Sequence, residues 1–271
     1  MFYKDVLAKL LESEKNPVNS MYLHEVSIKW KNFEKSAKES DDSNQALVKA
    51  LNNFISAVSK RKYKYKSETG NGFKEDSPLF SSCYLNDLVS VLIHRRQIMT
   101  HNGIKWDFQS FNTNLKFNPK NLCSLEKDLK FDQSLSPEFL QLTQELDSQF
   151  RVIGKRTFHK YKSILPLIVF HTFRNLTEED FIRTEYHANM AKSTFEKSKT
   201  IIITEMLDEN FIPELRSSKV GCICVLRKQF KTDKPNEISV DAVNALEEKV
   251  KELLIEQREI GDDFKKTGII I

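Results

Sequence analysis

Residues 164–175 read ILPLIVFHTFRN, and this stretch says most about the fold class. Six of its first seven side chains are apolar, which is typical of a strand that is covered on both faces of a sheet. The run ends with His171, Thr172, Phe173 and Arg174. Because binding sites of α/β proteins lie at the carboxyl ends of strands, this strand end is the first place to look for chemistry.

The residues that follow indicate a covered sheet. A helix is predicted over 176–195, with Thr177 as its N-cap and three acidic residues in its first turn, where negative charge suits the helix dipole. Buried strands are predicted over 199–206 and 220–227, and an amphipathic helix over 239–257. Strand, helix and strand in this order favour a right-handed parallel crossover, so the predicted class is α/β.

The residues before this stretch divide into two parts. Apolar residues at helical spacing predict helices over 22–37, 46–58 and 79–96. We therefore expect a helical N-terminal region over 1–102 and an α/β domain over 103–271.

The middle of the chain carries mixed signals. A strand that ends in a turn is predicted over 115–122, and a short strand over 149–156. Residues 136–146 predict a helix, with Ser136 as its cap and Pro137 at its first position.

Composition is that of an ordinary globular protein. Apolar residues make up 39% and charged residues 30% of the 271 residues, and no window approaches the roughly 18 apolar residues that span a bilayer. The N-terminal segment is amphipathic and interrupted by charge, unlike a secretory signal. We expect a cytosolic protein with no membrane partner.

Four cysteines fit a reducing compartment. Cys222 and Cys224 alternate along a predicted strand, and no further Cys or His stands at metal-binding spacing. Burial in the core is therefore favoured over zinc binding.

Two basic clusters interleave cations with aromatic residues. Residues 59–66 read SKRKYKYK, and residues 154–162 read GKRTFHKYK. Such clusters either follow a phosphate backbone while rings pack or stack, or form a solvated basic surface. The net charge of +4 alone is weak support for nucleic acid. The candidate phosphate contacts are Lys62, Lys64, Lys155 and Arg156.

Common catalytic signatures are absent from the sequence. It contains no phosphate-binding P-loop, no dinucleotide-binding glycine motif, no serine nucleophile elbow and no H-E-x-x-H zinc motif. With only seven glycines, a phosphate cradle built from backbone N–H groups is disfavoured. A metal-dependent nuclease stays open, since it needs only carboxylates for Mg²⁺ and a group that activates water.

Several ordered patches resemble the BbvCI-type restriction endonucleases, whose asymmetric sites are read by two different subunits. Residues 165–176, LPLIVFHTFRNL, resemble the family's V-P-x-x-x-apolar-E-x-K-R-x-L strand. Further resemblances lie in the patches LKFNPKNL (115–122), IIITEML (201–207), ICVLRKQ (223–229) and the helical ALVKALNNFISAV (46–58). The resemblance implies a restriction-endonuclease-like, PD-(D/E)xK-type core.

The sequence departs from the family at the chemistry. When residues 165–176 are aligned with the family's strand pattern, the family's Glu falls on His171 and its Lys on Phe173. The upstream metal-binding Asp falls near Gln149, with Asp147 two residues away. Phenylalanine can neither bind Mg²⁺ nor move a proton.

Two accounts follow from this departure. In one, the acid has moved to the following helix, where Glu178, Glu179 or Glu185 could supply a carboxylate. Residues 183–185 read RTE, which makes Glu185 the leading candidate; Glu185 and Asp147 would then hold Mg²⁺, with His171 as a base or ligand. In the other, the fold and the DNA contacts persist without cleavage. Arg174 and Arg183 are further candidate phosphate contacts.

The resemblance implies a type II restriction endonuclease, or one subunit of it, in a restriction–modification system. It would bind duplex DNA with a second, homologous subunit, and Mg²⁺ would support hydrolysis by this chain or its partner. The alternatives are a catalytically inactive pseudonuclease that binds DNA or serves assembly, and a protein that shares only the fold. Each candidate residue also has a plain structural interpretation: His171 as a hydrogen-bonded strand end, Glu185 as an exposed helix acid.

Overall fold

The structure is a computed structural model. It describes residues 2–38, 44–60, 63–95, 104–109, 115–117, 125–127, 139–146, 163–194, 196 and 198–267.

Four helices form the N-terminal part of the chain. They are α1 (Phe2–Ser13), α2 (Pro17–Lys38), α3 (Asn44–Val58) and α4 (Cys83–Arg95), with a 3₁₀ turn at Pro78–Phe80. The three helices predicted from the sequence here are confirmed. The last begins at Cys83 rather than residue 79, because Ser77 Oγ accepts from the backbone N–H of Leu79 and caps the separate 3₁₀ turn.

The described strands after α4 form a mixed five-stranded sheet and a small two-stranded sheet. The two strands of the small sheet lie between the first two strands of the larger one in the sequence. The strands are β1 (Ile104–Gln109), β2 (Leu115–Phe117), β3 (Leu125–Lys127), β4 (Phe139–Leu146), β5 (Ser163–Leu176), β6 (Lys199–Leu207) and β7 (Cys222–Val225); the helices are α5 (Glu178–Thr194) and α6 (Val240–Thr267). The order in the larger sheet is β1-β4-β5-β6-β7. β1, β4 and β5 pair antiparallel, while β5, β6 and β7 pair parallel.

The helix predicted over 136–146 is wrong. Phe139–Leu146 is strand β4, hydrogen-bonded to β1 on one side and to β5 on the other. Its sequence, FLQLTQEL, has apolar residues that fit either a short helix or an alternating strand, so pairing with two neighbours decides the conformation. Ser136 and Pro137 lie outside the described residues.

The other predicted elements of the sheet are confirmed with changed ends. Of the strand predicted over 115–122, Leu115–Phe117 is confirmed and 118–122 lie outside the described residues. The strand predicted over 220–227 is limited to Cys222–Val225. The strand predicted over 149–156 lies outside the described residues. No helix joins β6 to β7: residues 208–221, all of them described, form turns and irregular backbone.

Strand β5 separates two apolar clusters. Ile168 and Phe170 belong to a large cluster that includes side chains of α1, α3, α4 and α6. Val169 and Phe173 pack instead with residues of α5. Successive side chains of a strand point to opposite faces, so this alternation places the N-terminal helices and α5 on opposite sides of the sheet. The large cluster joins residues on both sides of the predicted boundary at residue 102, and the division into two domains stays a prediction.

No described helix is both long and apolar enough to cross a membrane.

A buried asparagine of α3 forms two hydrogen bonds to the segment after β7. The side-chain amide of Asn52 donates to the carbonyl oxygen of Ile238 at 3.0 Å, and its oxygen accepts from the Ile238 N–H at 2.8 Å. One side chain thus satisfies both backbone groups of a residue buried ahead of α6.

We expect Asn52→Ala to lower the free energy of unfolding by about 2–4 kcal/mol, because both backbone groups of Ile238 would lose a buried partner. Urea unfolding followed by circular dichroism measures the change. The matched control is Asn53→Ala, next along the same helix and exposed, with an expected effect within about 0.5 kcal/mol. Equal effects of the two substitutions would contradict this account.

Candidate functional site at the ends of the parallel strands

The side chain of His171, a residue of β5, contacts α5. Its ring stacks on the ring of His187, with centroids 5.4 Å apart and planes 12° from parallel. Burial, with a smaller contribution from the nearby His187, lowers the pKa of His171 to about 3. Burial, with a contribution from Arg183, also lowers the pKa of His187. Near neutral pH both rings are uncharged, a condition that suits close packing of two imidazoles.

Phe173 is part of the apolar packing on the same side of the sheet. Its side chain packs against the cluster that contains Leu176, Phe181 and Ile202. At the position where the resembled family has lysine, this chain therefore has a side chain that stabilises the contact between sheet and helix.

Glu185 lies on α5, but on a different side from the stacked histidine. Consecutive helix residues are about 100° apart, so Glu185 and His187 point about 160° apart around the axis. The contact of His171 is with His187. Glu185 itself is half-buried.

The predicted phosphate contacts Arg183 and Lys64 are exposed. Arg183 pairs with Glu179 one turn earlier at 2.8 Å. Lys64 lies in the loop after α3, 3.9 Å from Glu75. Exposed pairs such as these exchange readily with other anions. Asp147, Lys62, Lys155 and Arg156 lie outside the described residues, so their roles stay predictions.

A buried carboxylate lies on the opposite face of the sheet. Glu205 of β6 is 1% exposed. Its Oε2 accepts from Nε of Arg227 at 2.6 Å and lies 2.5 Å from Nη2 of the same guanidinium. Its Oε1 accepts from the hydroxyl of Tyr84 on α4. Arg227 also donates through Nη1 to the carbonyl of Asn236.

Arg174 is the second cation beside this carboxylate. Its Nε donates to Oε1 of Glu205 at 3.3 Å, and its Nη1 donates to the carbonyl oxygen of Phe80 at 3.1 Å. The side chain is 41% exposed. A phosphate contact by Arg174 stays a prediction, and its guanidinium already holds a carboxylate and a backbone carbonyl.

Burial raises the pKa of the Glu205 carboxyl, while the charge and hydrogen bond of Arg227 act in the opposite direction. Burial lowers the pKa of Arg174, and repulsion from Arg227 adds to this. We call Glu205, Arg174, Arg227 and Tyr84 the Glu205 network. Every hydrogen bond that the three partners donate to the carboxylate favours its ionised form.

Sequence reasoning missed His187 and the central role of Glu205. One signal was visible: Glu205 is a charged residue inside the otherwise apolar strand 199–207. A charge in such a strand requires a buried partner. Its partners lie 22, 31 and 121 residues away, so the sequence offered no spacing that would identify them.

The two residues in the place of the family's Glu and Lys, His171 and Phe173, do not fit Mg²⁺. This ion prefers oxygen ligands, whereas a stacked imidazole and a phenyl ring occupy the positions in question. Within the part of the chain that the structure describes, no three His, Cys, Asp or Glu side chains are grouped to hold a metal ion.

The predicted packing of the strand cysteines in the core is confirmed, with both side chains half-buried. Cys222 and Cys224 both pack against the large apolar cluster. Burial raises the pKa of Cys222 to about 11 and of Cys224 to about 12, so both thiols stay protonated and unreactive.

Comparisons with known proteins give one kind of support, which is structural. No protein-family model matches the sequence, and no curated protein matches it. Among solved structures, the chain is similar to the native BbvCI A2B2 tetramer, determined at low resolution, with a TM-score of 0.57 and 15% identity. The match covers 95% of this chain and 96% of that one. At this identity, the likeness shows a BbvCI-like fold.

Four of the patches that resemble this family contribute residues to structural contacts. Arg174, Glu205 and Arg227 come from three different patches and meet in the Glu205 network. Asn52, from the helical patch, binds Ile238. These four polar residues therefore stabilise the fold.

The histidine stack makes stability depend on pH. Unfolded His171 takes up a proton near pH 6.5, whereas in the fold its pKa is about 3. The unfolded state therefore binds more protons in this window, and the free energy of unfolding falls as pH is lowered from about 6.5 towards about 3, by up to a few kcal/mol.

As pH falls from about 6.5 to about 4, we expect the free energy of unfolding of His171→Phe to decrease less than that of the unsubstituted protein. Phenylalanine has no imidazole that takes up a proton on unfolding. Urea unfolding at several pH values measures this difference. His24→Phe, on the exposed side of α2, should keep the original pH dependence. Parallel curves for His171→Phe and the unsubstituted protein would show that His171 is not the group responsible.

Proposed function

We propose that this chain is a DNA-binding subunit of a type II restriction endonuclease, and that a homologous subunit hydrolyses the phosphodiester bond with Mg²⁺. The proposal rests on one combined observation. The chain has a BbvCI-like fold over 95% of its length, but His171 and Phe173 occupy the positions where the resembled family has its catalytic Glu and Lys. The A2B2 assembly of the similar structure contains two kinds of subunit, so such a division of roles is available to a chain of this fold.

The packing of the strand end supports the absence of hydrolysis by this chain. Metal-dependent cleavage needs carboxylates that hold the ion and a group that positions or activates water. Phe173 packs in an apolar cluster, and His171 is stacked and resists protonation. Phe173 can replace neither a carboxylate nor a lysine, and His171, with a pKa of about 3, is a weak base. In a catalytic site rebuilt around Glu185, the ring face of His171 that stacks on His187 would not be available.

Exposed cations support binding to duplex DNA. Lys64 and Arg183 are exposed and paired with exposed acids. Phosphate oxygens can replace such partners, with release of counterions from the DNA. Lys62, Lys155 and Arg156 would extend the contact along the backbone. The protein would act in the cytosol as part of a restriction–modification system.

We expect the purified chain to retain a duplex in a gel shift and to leave plasmid DNA uncut in the presence of Mg²⁺. Retention should weaken steeply between about 50 and 200 mM salt, because phosphate contacts dominate. Lys64→Ala should weaken retention, and Lys9→Ala, an exposed lysine of α1, should not.

The cleavage assay includes EDTA and the variants Glu185→Ala and His171→Ala. Fragments that appear with Mg²⁺ and vanish with EDTA and with Glu185→Ala would overturn the proposal, because this chain would then contain a rebuilt active site. Cutting that requires a second, E-x-K-bearing subunit supports it. DNA retention with no cutting alongside any such subunit would instead favour the inactive pseudonuclease.

A further inference from the structure

Helix α5 has large apolar side chains on two opposite sides. Its inner side, with Phe181 and Ala188, packs on the sheet. Its outer side exposes Ile182 (59% exposed) and Tyr186 (65% exposed), one turn apart. Asn189 follows on the same side and is also exposed. Because residues three and four positions apart lie on one helix face, these three side chains are neighbours. We call Ile182, Tyr186 and Asn189 the outer patch.

Opposite charges lie at the two ends of the outer patch. Glu178 is exposed in the first turn of α5. Lys192 lies in the last turn. Burial lowers its pKa most, nearby Lys219 and Lys199 lower it further, and Glu196 acts in the opposite direction with the smallest effect. The helix thus has an acid at one end of the patch and, at the other, a lysine crowded by like charges. Such a lysine would gain from an added carboxylate.

This arrangement is complementary to itself when the helix direction is reversed. At about 100° per residue, Glu178 and Lys192 both lie on the same flank of the outer patch, the flank of Asn189. A two-fold axis perpendicular to two antiparallel helices brings this flank of one copy beside the same flank of the other. An acid at one end can therefore meet a lysine at the other end, twice in each pair of helices.

Two separate pairings require almost the same axis position. If Ile182 of one copy packs on Tyr186 of the other, the axis lies level with residue 184. If Glu178 of one copy faces Lys192 of the other, it lies level with residue 185. With a rise of about 1.5 Å per residue, the two requirements agree within the reach of a side chain. Apolar and charged contacts can therefore form together.

We propose that two copies of this chain associate through the outer patches of their α5 helices, antiparallel and about a two-fold axis level with residues 184–185. Each copy contributes the same residues, as an isologous interface requires. The association uses the side of α5 that faces away from the sheet, and it holds whether or not the chain binds DNA. A duplex is a poor occupant of the outer patch, because Glu178 would face its phosphates.

Symmetric cross-linking tests the position of the axis. In Tyr186→Cys, the two introduced thiols would lie close to the axis and within reach of each other. Mild oxidation at micromolar concentration should give a product of twice 31.6 kDa on a non-reducing gel. The controls are the unsubstituted chain and Met21→Cys, which introduces a thiol at a similarly exposed position (61%) on α2. Equal yields from Tyr186→Cys and Met21→Cys would overturn the proposal.

Charge reversal tests the pairing at the ends. In sedimentation experiments without DNA, Glu178→Lys and Lys192→Glu should each raise the dimer dissociation constant about tenfold, because each creates like-charge contacts at two places. The double variant should recover the original constant, because both contacts regain opposite charges. Glu12→Lys, the same change at an exposed position of α1, should leave the constant unchanged.

A monomer at every concentration would overturn the proposal, as would a dimer that both single variants leave unchanged. Failure of the double variant to recover would overturn the predicted pairing of Glu178 with Lys192 and assign the association to another surface. These outcomes are independent of DNA retention and cleavage, so they leave the proposed function to be judged separately.

Discussion

The carboxylate of Glu205, almost completely buried, needs the cations on both sides of it. Arg227 follows β7 and Arg174 lies near the end of β5, so one acid joins three parts of the chain at the ends of the parallel strands. The hydroxyl of Tyr84 adds α4. Loss of one partner from a buried ion pair leaves an uncompensated charge, which costs about 3–5 kcal/mol. The position of the N-terminal helices against the sheet depends on this arrangement being complete.

The same network explains what the resemblance to BbvCI-type endonucleases means in this chain. Arg174, Glu205 and Arg227 come from separate patches of similar sequence, and they meet in space. Positions 171 and 173, where the family's catalytic pair falls, are instead a stacked histidine and a packed phenylalanine. Residues that hold strands together resemble the family, whereas residues that would perform hydrolysis do not. This pattern agrees with the proposed role, in which this chain binds DNA and a homologous subunit cuts it.

Local sequence was enough to predict the elements whose signals are local. Thr177 caps α5 as predicted, with its Oγ1 accepting from the N–H of Asp180 at 3.2 Å. Strands β5 and β6 were visible as apolar runs. Strand β4 was mistaken for a helix, because its conformation depends on hydrogen bonds to two neighbouring strands. The stack of His171 on His187 and the partners of Glu205 depend on tertiary packing, and no spacing in the sequence encodes them.

A double-mutant cycle on Glu205 and Arg227 tests most directly whether the strand ends serve the fold. Urea unfolding would be measured for the unsubstituted chain, Glu205→Gln, Arg227→Met and the double variant. The account predicts a loss of about 3–5 kcal/mol for each single variant and a double variant less destabilised than their sum by at least about 1.5 kcal/mol. Small, additive losses would contradict it, because the carboxylate and the guanidinium would then act independently and be free for another role.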